Sequence, residues 1–115
     1  MSLVQLLRDD QITWHGVELE RPDWSPSSHS LAFTARTARD RALFHVLLNA
    51  YWEPLSFALP SVPGAGGSPW RRWIDTGLDS PDDIVDREHA PQVQGHTYVA
   101  KPRSVVILFA GVLTV

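Results

Sequence analysis

The sequence predicts an all-β fold, an antiparallel β-sandwich with Greek-key connections. Three observations carry this reading. Apolar and polar residues alternate with period two through 30–37, 55–59 and 70–76, the pattern of strands with one buried face. Nine prolines and seven glycines punctuate the intervals between such runs. Helical signals are confined to two short segments, one near the N-terminus and one near Pro81. Six or seven strands result, which suits two stacked sheets better than any helical packing.

Each element follows from its residues in turn. Leu3, Leu6 and Leu7 stand at helical spacing, so 3–10 suits a short helical turn. Residues 12–20 alternate loosely around Gly16 and read as a short strand or an extended loop. Pro22, Pro26 and three serines make 21–29 a loop. In 30–37, Leu31, Phe33 and Ala35 alternate with Ala32, Thr34 and Arg36. Arg39, Asp40 and Arg41 suit a turn, and the apolar run 42–52 returns as the hairpin partner. Pro54 breaks that run before 55–59 alternates again. Three glycines and two serines make 60–69 a surface loop. In 70–76, Trp70, Arg72 and Ile74 alternate with Arg71, Trp73 and Asp75. Ser80-Pro81-Asp82-Asp83 is a helix-start signal, with a capping serine, proline at the first position and acids facing the dipole. Strands at 97–100 and 104–110, joined by Lys101-Pro102-Arg103, complete the set.

Bulk properties bound the function. A chain of 115 residues is expected to form one domain over 1–115 and can bury a single core. Its net charge of −3 offers no electrostatic footprint for nucleic acid. The absence of cysteine excludes disulfides, thiolate zinc sites and a cysteine nucleophile. It fits a reducing compartment, and a cytoplasmic location is expected. Residues 1–10 lack the basic start of a signal peptide. The apolar stretch 104–115 falls short of the ~20 residues of a membrane span and reads as a strand with an apolar tail, so no membrane partner is expected.

Seven pieces of this chain carry a family resemblance. In order they are Trp14-His15-Gly16-Val17, Pro22-Asp23-Trp24-Ser25, His29-Ser30-Leu31-Ala32-Phe33, residues 48–55, residues 70–76, residues 80–84, and Arg103-Ser104-Val105-Val106-Ile107-Leu108. Order and spacing resemble the C-terminal β-domain of glycogen-debranching and isoamylase-type enzymes of the α-amylase superfamily, over about residues 3–110. The resemblance implies a β-sandwich in α-glucan metabolism. It does not imply hydrolysis, because that family's nucleophile and acid/base carboxylates sit on a separate (β/α)8 barrel. Such a barrel needs about 250 residues and has no room here. A free-standing accessory protein, a remnant of a split gene and an excised piece of a larger enzyme all fit.

No residue pattern supplies chemistry in the barrel's place. Hydrolysis of a glycoside needs two carboxyl groups facing each other across the sugar. Asp82 and Asp83 diverge at a helix start and read as caps, and neither Asp9-Asp10 nor Asp75 makes a better pair. The five histidines, His15, His29, His45, His89 and His96, form no i,i+4 ligand pair, so no metal is expected. Within its apolar run, His45 reads as a core-edge histidine. Gly64-Ala65-Gly66-Gly67 lacks the lysine and the strand-to-helix context of a phosphate loop. No cofactor is expected, and the chain is not expected to be an enzyme.

The five tryptophans leave two readings open. Their rings can stack on the apolar faces of glucose units, or fill a core or a domain interface. If Trp52 and Trp70 point inward, they are core. In a regular strand Trp70 and Trp73 lie on opposite faces, and Trp73 shares its side with Arg71 and Asp75, so it is expected outside. Trp73, Trp14, Trp24 and Tyr51 are the carbohydrate-binding candidates. The expected role is a non-catalytic accessory domain that stabilises or assists a glucan-active partner, with weak binding of glycogen or maltooligosaccharide. The alternative is a protein-interaction or self-association domain without sugar binding. An apolar patch around Trp14 and Trp24, left uncovered without a barrel, would bind a catalytic-barrel protein or a second copy.

Overall fold

The computed structural model describes residues 12–19, 21, 28–37, 42–60 and 70–111. Among them seven strands form two antiparallel sheets, and the lone helical element is a 3-10 turn at Arg87–His89. The strands are β1 (Ile12–His15), β2 (Ser30–Thr37), β3 (Ala42–Asn49), β4 (Leu55–Ala58), β5 (Arg71–Asp75), β6 (Thr97–Ala100) and β7 (Ser104–Gly111). The larger sheet runs β1-β2-β3-β7-β5, and β4 pairs with β6 in the smaller one. After β3 the chain crosses to the small sheet as β4, returns as β5 at the far edge of the large sheet, crosses again as β6, and enters last as β7 between β3 and β5, connections of the Greek-key kind.

Register decides which side chains meet the core. Leu47 lies opposite Ala32 on one side and Val106 on the other, and Leu43 lies opposite Ala110. These residues are buried together with Phe57, Leu59, Trp70, Val93, Ala100 and Leu108, so the core fills the space between the two sheets. Along β3 from Leu43 to Asn49 burial alternates strictly, as the pleat requires. In β2 the small Ala32 takes the core side, while Leu31 and Phe33 turn to the opposite face.

Polar groups within the core are mostly paired. His15 and His45 bond the same hydroxyl, with Nε2 of His15 and Nδ1 of His45 each 2.9 Å from Thr34 Oγ1. The Asp75 carboxylate accepts from the Gly77 amide at 2.9 Å and from the Tyr98 hydroxyl at 2.5 Å. Burial, reinforced by Asp75, raises the Tyr98 phenol far above its usual range, so it stays a neutral donor. His45 Nε2, near the Ala58 backbone, completes no hydrogen bond.

His45 makes stability depend on pH. Burial, with a smaller contribution from neighbouring His15, lowers it from 6.5 to about 4. The unfolded chain therefore binds the proton that the folded chain refuses between those values. Stability should be full above pH 6.5 and fall as pH drops from there toward 4, by roughly 2–3 kcal/mol. Urea unfolding at pH 7.5 and pH 4.5 measures the loss, and His45→Gln should remove most of the difference.

The helix expected at Pro81 does not form. The Ser80-Pro81 peptide is cis, and 80–83 is a turn. The segment spends its backbone on the edge of β5 instead. The Asp75 amide donates to the Asp83 carbonyl at 2.8 Å, and the Val85 amide donates to Trp73 at 3.1 Å. Ile84 bridges Ile74. An edge strand's free groups outcompeted a helix of about one turn, which nucleates poorly alone. The helical turn at 3–10, the turn at 39–41 and most of the loops at 21–29 and 60–69 lie outside the described residues.

Candidate functional surface

Two surfaces stand out once the core is assigned. The first is the outward face of the large sheet. Register places Trp14 opposite Phe33, Phe33 opposite Val46 and Val46 opposite Ile107, a row of apolar side chains across four strands. Parallel rows hold Ala35, Phe44 and Phe109, and Leu31, Leu48 and Val105. The smaller sheet packs on the other side, against the core residues. At the β5 end, Phe44 and Trp73 meet with ring centroids 5.9 Å apart. The Arg87 guanidinium lies 5.4 Å, 5.4 Å and 5.2 Å from the centres of Phe44, Trp73 and Phe109. A cation over several rings holds the 3-10 turn to the sheet, and each such contact contributes about 0.5–1 kcal/mol.

The second surface is the bend between β3 and β4. Trp52 is 67% exposed. Beside it Tyr51 stacks on His29, with centroids 5.4 Å apart and planes at 18°. Trp52 meets Tyr51 at 5.6 Å and 67°. An open groove of about 390 Å³ adjoins, lined by Leu48, Asn49, Ala50, Arg103, Ser104 and Val105.

The sequence candidates are distributed across both surfaces. Trp14 is half-buried on the outward face, 5.3 Å from Phe33, and Tyr51 belongs to the bend. Trp24 lies outside the described residues. Trp73 is half-buried rather than open, and its expected kinship with Asp75 fails. A bulge between Arg72 and Ile74 breaks the alternation, so Asp75 turns into the core while Trp73 packs on the outward face. Trp70 is core, as the inward reading requires, at 1% exposure. Trp52, placed with Trp70 in that reading, is instead the open ring. β3 ends at Asn49, so Trp52 falls in the bend and does not join the alternation.

Among the described residues, no catalytic constellation accompanies these surfaces. Asp75 is committed to Gly77 and Tyr98. Among the described residues, no three His, Asp or Glu side chains gather as a metal site.

The sequence family described as Isoamylase 1-3, C-terminal, matches residues 13–110. The chain belongs to this isoamylase C-terminal family. It is 33% identical over 101 residues to Isoamylase 1, chloroplastic, of Oryza sativa subsp. japonica, covering 84% of the chain and 12% of that protein. Isoamylase 2, chloroplastic, of the same plant is 33% identical over 98 residues, covering 78% of the chain and 12% of that protein. Isoamylase SU1, chloroplastic, of Zea mays is 30% identical over 85 residues, covering 74% and 10%. The chain thus spans about a tenth of the length of these relatives. It is an accessory domain related to debranching enzymes, and the isoamylase C-terminal domain alone is a non-catalytic part of such enzymes. The same names correct the expected cytoplasmic location. These relatives, and a fourth from Arabidopsis thaliana, are all chloroplastic by name, and none of them is cytoplasmic.

Proposed function

We propose that the domain packs through the outward face of its large sheet onto the catalytic domain of a glucan-active enzyme and stabilises it. The supporting observation is the run of apolar side chains from Trp14 through Phe33 and Val46 to Ile107 on the sheet face that turns away from the core. A sheet normally hides such a face under a second layer. The four side chains are half-buried, so each keeps apolar area that a partner can cover. Assistance here is structural: the domain supplies apolar area and holds the partner's fold, and the partner supplies the carboxylates.

Co-expression with the catalytic segment of an isoamylase-type enzyme, followed by gel filtration, tests this reading. A one-to-one complex is expected. Val46→Glu combined with Ile107→Glu, on the middle row of that face, should abolish it while the domain stays folded by circular dichroism. Failure to form the complex, or its survival in the double variant, would reject the assignment. Self-association through the same face is the competing outcome, read as a dimer that the double variant dissolves and the catalytic segment does not displace.

A further inference from the structure

We infer that the β3–β4 bend is a gluco-oligosaccharide contact site, with Trp52 as the stacking platform. The inference rests on the reading of the domain as part of a glucan-active assembly, which supplies the sugar class. The site itself comes from the geometry.

Exposure of a lone tryptophan would mean little. The support beneath this one is what carries the argument. The buried Asn49 side chain grips the backbone on both flanks of Trp52. Its Oδ1 accepts from the Tyr51 amide at 2.9 Å, and its Nδ2 donates to the Glu53 carbonyl at 3.0 Å. The same Nδ2 reaches the Ala100 and Lys101 carbonyls at 3.1 Å each, which ties the bend to the β6–β7 turn. From that turn the Arg103 amide donates to the Tyr51 carbonyl at 3.1 Å. The bend is therefore held rigid while its bulkiest ring stays in solvent. These bonds fix the backbone on both sides of Trp52 and so set the direction in which its side chain leaves the bend.

The surroundings suit a pyranose. A sugar ring presents an apolar face of C–H groups and a rim of hydroxyls, so it needs a flat ring below and polar groups beside it. Trp52 supplies the flat ring, and the stacked Tyr51–His29 pair stands against it as a wall. Glu53 and Arg103 are exposed at the rim, with an acceptor and a planar donor for hydroxyls. Arg103 holds a φ of 52°, a conformation that glycine adopts more cheaply, so the turn alone does not call for arginine. The groove beside Arg103 leaves room for a second sugar unit.

Titration of the whole chain with maltoheptaose, read by calorimetry and tryptophan fluorescence, tests the site. Saturable binding with a dissociation constant of order a millimolar is expected. Trp52→Ala, an exposed change that should leave the unfolding midpoint in place, is expected to weaken binding by at least about tenfold. Trp73→Ala should leave it within about twofold of the parent. No saturation, or equal binding by the Trp52→Ala variant, would overturn the site. Trp52→Ala should still form the complex with the catalytic segment, so loss of sugar binding and loss of docking are read independently.

Discussion

Trp70→Ala is expected to destabilise the domain by about 3–5 kcal/mol, the usual cost of removing a buried aromatic. Trp73→Ala, three residues away, should cost no more than about 2 kcal/mol. The contrast follows from the two faces of the large sheet. Trp70 is 1% exposed at the centre of the core, its ring 5.6 Å from His45. Its indole N–H donates to the Pro60 carbonyl at 2.9 Å, and its own carbonyl accepts from the Val93 amide at 2.8 Å. Truncation opens a cavity between the sheets and strands the Pro60 carbonyl. Trp73 loses only its contacts with Phe44 and Arg87 on a half-open face. A domain of this size has about 5–15 kcal/mol of stability, so the first variant should be largely unfolded at 37 °C and the second should not. Thermal unfolding followed by circular dichroism measures both. Equal losses would mean that the outward face is as well packed as the core, and would remove the argument for docking there.

How much of this could be read beforehand depended on where side-chain period meets tertiary pairing. β2 and β6 stand where the alternation and the flanking turns place them, because two-residue periodicity and glycine or proline stops act locally. The hairpin of β2 with β3 followed from the same local logic. Which face of β2 points inward did not. Both sides of that strand carry apolar residues, and the core chose the smaller Ala32 while Leu31 and Phe33 went to the open face. A sheet that is apolar on both faces looks identical in sequence to one with two buried faces. The bulge at Arg72–Ile74 was equally hidden, since it depends on pairing with β7 and reverses the side of every residue after it. At Pro81 the local helix signal was sound, but it lost to β5's unsatisfied edge.

The candidate site shows the same division. The sequence names Tyr51, which lies in the bend, and Trp14, read in a short strand or extended loop, whose half-buried ring lies on the outward face. Trp52 was not legible, because its role depends on Asn49, an asparagine at the end of an apolar run that gave no sign of reaching across to residues 100 and 101.

Asn49→Ala is accordingly the second large effect expected, a loss of about 3–4 kcal/mol. One buried amide shares its two N–H bonds among the carbonyls of Glu53, Ala100 and Lys101 and accepts from the Tyr51 amide, so its removal strips a partner from several groups at once, with only the Lys101 carbonyl keeping the Ser104 hydroxyl. Ala100 itself is fully buried, so water cannot easily replace the lost donor. Asn49→Asp should be nearly as damaging, since a carboxylate keeps the acceptor for Tyr51 but turns a lone pair toward three carbonyls. Asn49→Gln keeps the chemistry but lengthens the reach by one methylene, and should recover only part of the loss. Urea unfolding of the three variants ranks them. Where the variants stay folded at low temperature, Trp52 should gain mobility, seen as lower fluorescence anisotropy of a chain whose other tryptophans are replaced by phenylalanine. Unchanged anisotropy with lowered stability would show that Asn49 only ties the two turns together. A gain in mobility that weakens maltoheptaose binding would show that the rigid support, and not the indole alone, makes the bend a binding surface.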